Sequence, residues 1–296
     1  MRDRSILGRG LTLLAAGLVF LFAAGPIVLA GLGSVIPDRA LFGDGGLFDY
    51  GLVFDNYRYI FTGELPDAYL TEGANRAMIS DAARQVPQSL LNSAIISLSA
   101  MVLNILLGAP AAFAFAQFRF RGKKASFMYL ILSPLVPTVA LVVPFFVIID
   151  SLGLLGTRLA VILVHTARAL PFTVLILSLF YRRIPAEIFE AARIDGASRW
   201  TRMVRIALPL ALPSIGATGL FAFMLSYAEF LFAMVLSGDA GSRPLSVVMA
   251  ALARNTDVSW SLLNTAIFIA VLPTLALVVL VWRFVVEGLL AGASKG

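Results

Sequence analysis

Long apolar stretches separated by short polar ones dominate this chain. A helix rises 1.5 Å per residue, so roughly 20 mostly apolar residues cross the ~30 Å hydrocarbon core of a bilayer. Six stretches reach that length: Leu11–Ile36, Ser89–Phe118, Phe127–Ile149, Thr157–Tyr181, Leu210–Leu236 and Leu262–Val286. The pattern predicts an all-α membrane protein with six transmembrane helices. The first stretch follows Arg2, Arg4 and Arg9, as a secretory signal would. It exceeds the roughly 7–15 residues of a signal's apolar region, and five more spans follow, so it is expected to be a retained helix. Three regions are predicted: an N-terminal segment with the first span at 1–36, an extracytoplasmic loop at 37–87 and a core at 88–296.

Composition narrows the chemistry. Hydrophobic residues make up 59% of the 296 residues and charged ones 14%, against roughly 45–50% and about 25% in an ordinary globular chain. That excludes a disordered tail, a nucleic-acid arm and most soluble enzymes. In so apolar a chain, the net charge of +6 reads as basic loops held on one side of a membrane, not as a nucleic-acid partner. With no cysteine and the single histidine His165, no thiolate chemistry is available. Little is left for a zinc site or a histidine triad, so no catalytic or metal residue is expected.

The basic residues also orient the spans. With the N-terminus inside, 15 Lys and Arg fall on inner segments and seven on outer ones, Arg168 lying within a span. The bias predicts both termini in the cytoplasm, with the short Arg119–Lys124 loop decisive because long loops weigh little. Pro26, Pro110, Pro134, Pro137, Pro144, Pro171, Pro213 and Pro273 lie inside spans. A membrane bundle tolerates them where neighbours re-satisfy the freed carbonyls. Gly108, Ala112 and Ala116 recur every four residues, a spacing that permits close helix approach.

The segment between spans four and five, Ile184 to Pro209, carries the most information. Pro185 suits a first helical position, Glu187 adds favourable charge in the first turn, and Gly196 sits where a left-handed residue ends the helix. Ile184, Ile188, Ala191 and Asp195 are expected to share one face. A second helix is predicted from Ser198 to Ala207. The Ala191–Ala192 patch would let another surface approach closely. Two readings stand on these residues alone: an amphipathic connector resting on lipid, and a docking site for another protein.

Glu190-Ala191-Ala192, three residues, Gly196, nine residues, then Ile206-x-Leu208-Pro209 resembles the EAA loop of bacterial ABC-importer permeases. The fuller run through Pro185, Glu187, Ile188, Asp195 and Ala197 is similar to the carbohydrate-uptake branch, which includes the MalG-type permeases. So are Asp55-Asn56-Tyr57, Asn92-Ser93, Leu170-Pro171-Phe172 and the closing Gly288-Leu-x-Ala-Gly-Ala-Ser-Lys-Gly296. Two departures are Tyr227-Ala228-Glu229-Phe230, where the family often has Trp-Asn-Glu-Phe, and an outer loop longer than usual from Thr62 to Pro87.

The resemblance implies a type I ABC importer permease in the bacterial inner membrane, with the EAA loop at 184–209 as a cytoplasmic coupling helix. It also implies a second homologous permease, two ATP-binding-cassette subunits and an extracytoplasmic solute-binding protein as partners. Glu187, Glu190, Ala191, Ala192, Asp195, Gly196 and Ala197 would form the ATPase-coupling surface. The solute expected is a sugar, a di- or oligosaccharide such as trehalose, maltose or a related glycoside; the alternative is glycerol 3-phosphate or another non-sugar solute. The chain has no Gly-x-x-x-x-Gly-Lys-Ser/Thr run, so ATP and Mg are expected on the partner subunits, and this chain is expected to be no enzyme.

Charged groups within a span need a partner or a water-filled cavity. Glu229, with Tyr227 and Phe230 beside it, and His165 with Arg168 three residues on, are the candidates for the translocation path. Each also has a plainer reading, as an interior pair or as aromatic packing. The outer loop, with its four aromatics from Phe54 to Phe61 and its acidic balance, is a candidate contact for the binding protein.

Overall fold

The computed structural model describes residues 6–38, 40, 51–64, 80–255 and 258–293. Most of the expected binding-protein contact and the last residues of the closing motif, 294–296, lie outside the described residues. Those described form helices joined by short turns, with an isolated bridge between Gly156 and Ser237. Two compact units form, Met1–Pro87 with Val248–Leu272, and Gln88–Val247 with Pro273–Gly296.

In the first unit, α1 (Ile6–Val35) and α2 (Asp55–Thr62) join the start of a helix that runs on as Trp260–Ala293. Leu13, Phe20 and Phe22 stand exposed along α1, as lipid-facing residues would. Its last turns pack closely: a Cβ on Gly33 would come within 2.5 Å of Asn264 Nδ2. Thr265 Oγ1 donates to the Ser34 carbonyl at 3.1 Å, and Ser34 Oγ lies 2.7 Å from the Tyr57 hydroxyl. Asp38 accepts from the Trp260 and Ser261 amides at 3.0 and 2.7 Å, capping donors that a helix start otherwise leaves unpaired.

In the second unit follow α3 (Val86–Gln117), α4 (Lys123–Leu132), α5 (Thr138–Ser151), α6 (Arg158–Tyr181), α7 (Ala186–Ile194), α8 (Arg199–Leu210), α9 (Leu212–Tyr227) and α10 (Leu231–Leu236), while α11 (Leu245–Arg254) starts in this unit and has its residues from Val248 onward in the first. Helix α6 packs along α9. Small residues set the spacing of α3: a Cβ on Gly108 would meet Thr173 at 2.5 Å, and Ala112 is fully buried. Asn92 is fully buried and uses its whole amide. Its Nδ2 donates to the Ala240 and Arg243 carbonyls, both at 2.9 Å, while its Oδ1 accepts from Arg158 Nε at 2.9 Å and Gln88 Nε2 at 3.2 Å. Ser93 Oγ accepts from the Leu245 amide at 2.7 Å. The Asn92-Ser93 pair thus holds the turn that leads into α11.

Among the described residues, four helices are long and apolar enough to cross a membrane: Gly10–Val35, Ala83–Gln117, Arg158–Tyr181 and Trp260–Trp282. The other two expected spans are not single rods. Lys123–Leu135 meets Thr138–Ser151 at 106°, and Arg199–Leu210 meets Leu212–Tyr227 at 79°. The first break follows from proline sterics. Val136 precedes Pro137 and is extended, with φ −65° and ψ 127°, because the proline ring disfavours a helical residue before it. At the second break Pro213 starts α9, where its missing N–H costs nothing. The expected fifth span is interrupted again at Ala228–Phe230, between α9 and α10.

Candidate functional site

The expected coupling segment folds as a helix, a tight turn and a second helix. Pro185 precedes α7, with Glu187 in its first turn and Arg193 in its last, each matched to the helix dipole. The Ala197 amide bonds the Ala192 carbonyl at 2.9 Å, and the Gly196 amide bonds that of Arg193 at 3.1 Å. With Gly196 at φ +77°, this is a Schellman ending, whose left-handed residue is glycine because a Cβ is disfavoured there. Ser198 Oγ then accepts from the Thr201 amide at 3.1 Å and starts the next helix. That second helix contains a π-helical stretch, Met203–Ala207, ahead of Pro209.

The face grouped from the sequence is the outward one, and a different set of residues points in. Phe189 and Ala192 are buried, while Ile188, Ala191 and Asp195 are exposed. Phe189 enters a cluster with Phe113, Tyr181 and Met203 and packs edge-on against Phe113. Such a core aromatic contributes about 3–5 kcal/mol. Ala191 and Ala192 therefore do not form one patch: Ala191 faces out and Ala192 in. Glu187, Glu190 and Gly196 are exposed, Ala197 is half-buried, Ile194 is 87% exposed and Trp200 68%. Phe189 shares a helical face with Ala192 and Pro185, a signal present in the sequence but overshadowed by the isoleucines.

The second cluster gathers three of the five expected path residues. Glu229 sits in the break between α9 and α10, its side chain 8% exposed. Its carboxylate accepts from the Leu231, Phe232 and Ala233 amides at 3.1–3.2 Å, capping α10. His165 Nε2 lies 3.1 Å and Arg168 Nη1 3.4 Å from the same carboxylate. With its proton on Nε2, His165 donates to Glu229, and its Nδ1, 2.8 Å from Ser226 Oγ, accepts from that hydroxyl. Arg168 Nη2 donates to Thr138 Oγ1 at 3.0 Å, and its guanidinium lies 5.0 Å from the Phe232 ring centroid.

A cavity of about 60 Å³ adjoins this network, lined by His165, Arg168, Ala169, Phe172, Leu225 and Glu229. It is too small for a sugar. Tyr227 stacks on Phe223 at 5.5 Å, Phe230 is exposed, and neither lines the cavity. Phe221 and Phe232 pack edge-on against Phe172 and Phe145. The carboxylate therefore has its charge satisfied within the protein by a helix start, a histidine and an arginine.

Residues 104–289 match the family model described as binding-protein-dependent transport system inner membrane component. The chain is 35% identical over 213 residues to the diacetylchitobiose uptake system permease protein NgcG of Streptomyces coelicolor, covering 71% of this chain and 70% of that one. It is 30% identical over 256 residues to the trehalose transport system permease protein SugB of Mycobacterium tuberculosis, covering 86% of each. A bacterial ABC transporter that imports the acidic polysaccharide alginate shares the fold, with a TM-score of 0.71 at 19% identity over 96% of this chain and 98% of that one.

Proposed function

The chain belongs to the binding-protein-dependent transport system inner membrane components, and from that premise we propose that it is the permease of an ATP-driven sugar importer. Membership makes it a multi-pass transport subunit of the inner membrane. On our reading it forms the translocation path with a second homologous permease. Two ATP-binding-cassette subunits hold ATP and Mg below it, and a solute-binding protein delivers sugar from outside. Both termini then lie in the cytoplasm, as does α7.

The observation that carries the coupling role is the seating of α7. Its inner face is anchored by Phe189, its end is fixed by Gly196, and its outer face presents Glu187, Glu190 and Ile194 to another surface. A short helix held in this way transmits a push to the long helices. Glu229 we read as a brace that holds α10 against α6, since both of its carboxylate oxygens are engaged within the chain. The relatives' sugars, diacetylchitobiose and trehalose, support a small glycoside as the solute.

The test uses the purified complex with its binding protein in lipid. Disaccharides, glycerol 3-phosphate and other polyol-like solutes are added one at a time while ATP hydrolysis is followed. A disaccharide should stimulate hydrolysis. Stimulation by glycerol 3-phosphate alone would overturn the sugar reading and leave the transporter reading standing.

A further inference from the structure

We propose that the groove between the 118–123 loop, the first turn of α4 and the end of α6 binds an anionic phospholipid. The groove is open, about 950 Å³ in volume, and its lining has two halves. Arg119, Lys124 and Arg182 supply charge, while Phe120, Phe127 and Met128 supply an apolar wall. Among the described residues no acidic side chain lines it and none of the three cations has a carboxylate partner, although the Arg182 guanidinium lies 5.1 Å from the Phe127 ring centroid. Lys123 is committed elsewhere, its Nζ donating to the Phe118 carbonyl at 2.9 Å.

Local structure adds a second reason for an anion here. Gly122, at φ +82°, starts α4 and puts two lysines in its first turn. Cations at that end oppose the helix dipole, so a bound negative group relieves an unfavourable arrangement. The apolar half selects the occupant. Helix α4 buries none of its residues and leaves Met128, Tyr129 and Leu132 exposed, a surface along which an acyl chain can continue from the groove. Free phosphate would meet the charges and leave that wall uncovered. A phospholipid meets both halves, and basic segments at a membrane surface gain about 1 kcal/mol per Lys or Arg from anionic lipid.

The experiment uses the assembled transporter, gently delipidated and offered phosphatidylglycerol or phosphatidylcholine, with retained lipid counted by native mass spectrometry. The wild-type complex should keep phosphatidylglycerol and release phosphatidylcholine. Neutralising all three cations (R119Q, K124Q, R182Q) should weaken retention on the order of a hundredfold. F120S with M128S should weaken it while leaving every charge in place, and millimolar inorganic phosphate should not displace the lipid. These side chains are exposed, so the substitutions leave the core intact. Unchanged retention in the neutralised variant, equal retention of both lipids, or displacement by phosphate would overturn the proposal. So would loss of the ATPase subunits from the neutralised variant with retention unchanged, which would make the groove a protein contact. The readout counts lipid, so it is independent of which solute is carried.

Discussion

The rings of Phe189 and Phe113 meet edge to face, with centroids 5.9 Å apart and planes at 61°. This contact ties α7, a helix of nine residues, to the long helix α3. Phe189→Ala should remove about 3–5 kcal/mol of packing at that joint and leave the long helices in place. The expected outcome is a protein that still enters the membrane but shows weakened solute-stimulated ATP hydrolysis. Phe189→Leu should keep most of it. Normal coupling in Phe189→Ala would mean that force does not pass through this contact.

Gly196 tests the turn. A Cβ there would meet nothing within 4 Å, so the penalty is conformational, about 1–2 kcal/mol for a left-handed residue with a side chain. Gly196→Ala should therefore be tolerated in part. Gly196→Asp adds a charge to the exposed face and should abolish transport while the protein stays inserted. Glu190→Ala should be milder than Gly196→Asp, since one interface carboxylate rarely carries a whole contact. Copurification of the ATPase subunits and transport, measured on the same preparations, decide this. Normal values for Gly196→Asp would return the segment to a plain connector.

Glu229→Ala would leave the buried His165 and three backbone amides without their acceptor, while Arg168, about a third exposed, keeps Thr138. Removing one partner of such a pair costs about 3–5 kcal/mol. The melting temperature of the purified complex should fall clearly, and Glu229→Gln, which still offers an acceptor to α10, should fall less. If Glu229→Ala melts like the wild type yet changes the solute preference, the residue belongs to the path and not to the frame.

Topology is the fourth expectation. Reporter fusions after Gly296 and within Gly63–Ala83 should report opposite sides of the membrane, the first inside. Same-side reports would sink the arrangement drawn from the basic residues.

Long apolar runs identify α1, α3, α6 and the final helix, because length and composition alone decide them. The turn at Gly196 is equally legible in the sequence, since a left-handed position nearly demands glycine. The bends are not. An apolar run reads the same whether straight or folded back, and Pro134 and Pro137 are compatible with either. The placement of Glu229 is a subtler omission. A carboxylate two residues before Leu231–Leu236 is a helix-start signal, but inside an apolar stretch it reads as an isolated charge. The three-residue spacing of His165 and Arg168 does place them on one face. Ser226 and Thr138, which complete the network, carry no signal of their own in an apolar chain.

Asn92 sets an order on the making of the protein. Its amide nitrogen gives both hydrogens to Ala240 and Arg243, which leave the ribosome some 150 residues later. At about 5–20 residues per second the interval is on the order of ten to thirty seconds. A nascent chain halted at Leu236 holds the helix but neither acceptor. The second half of the sequence thus completes the first, and a translation pause between them prolongs the time for which a buried polar group waits within an apolar helix.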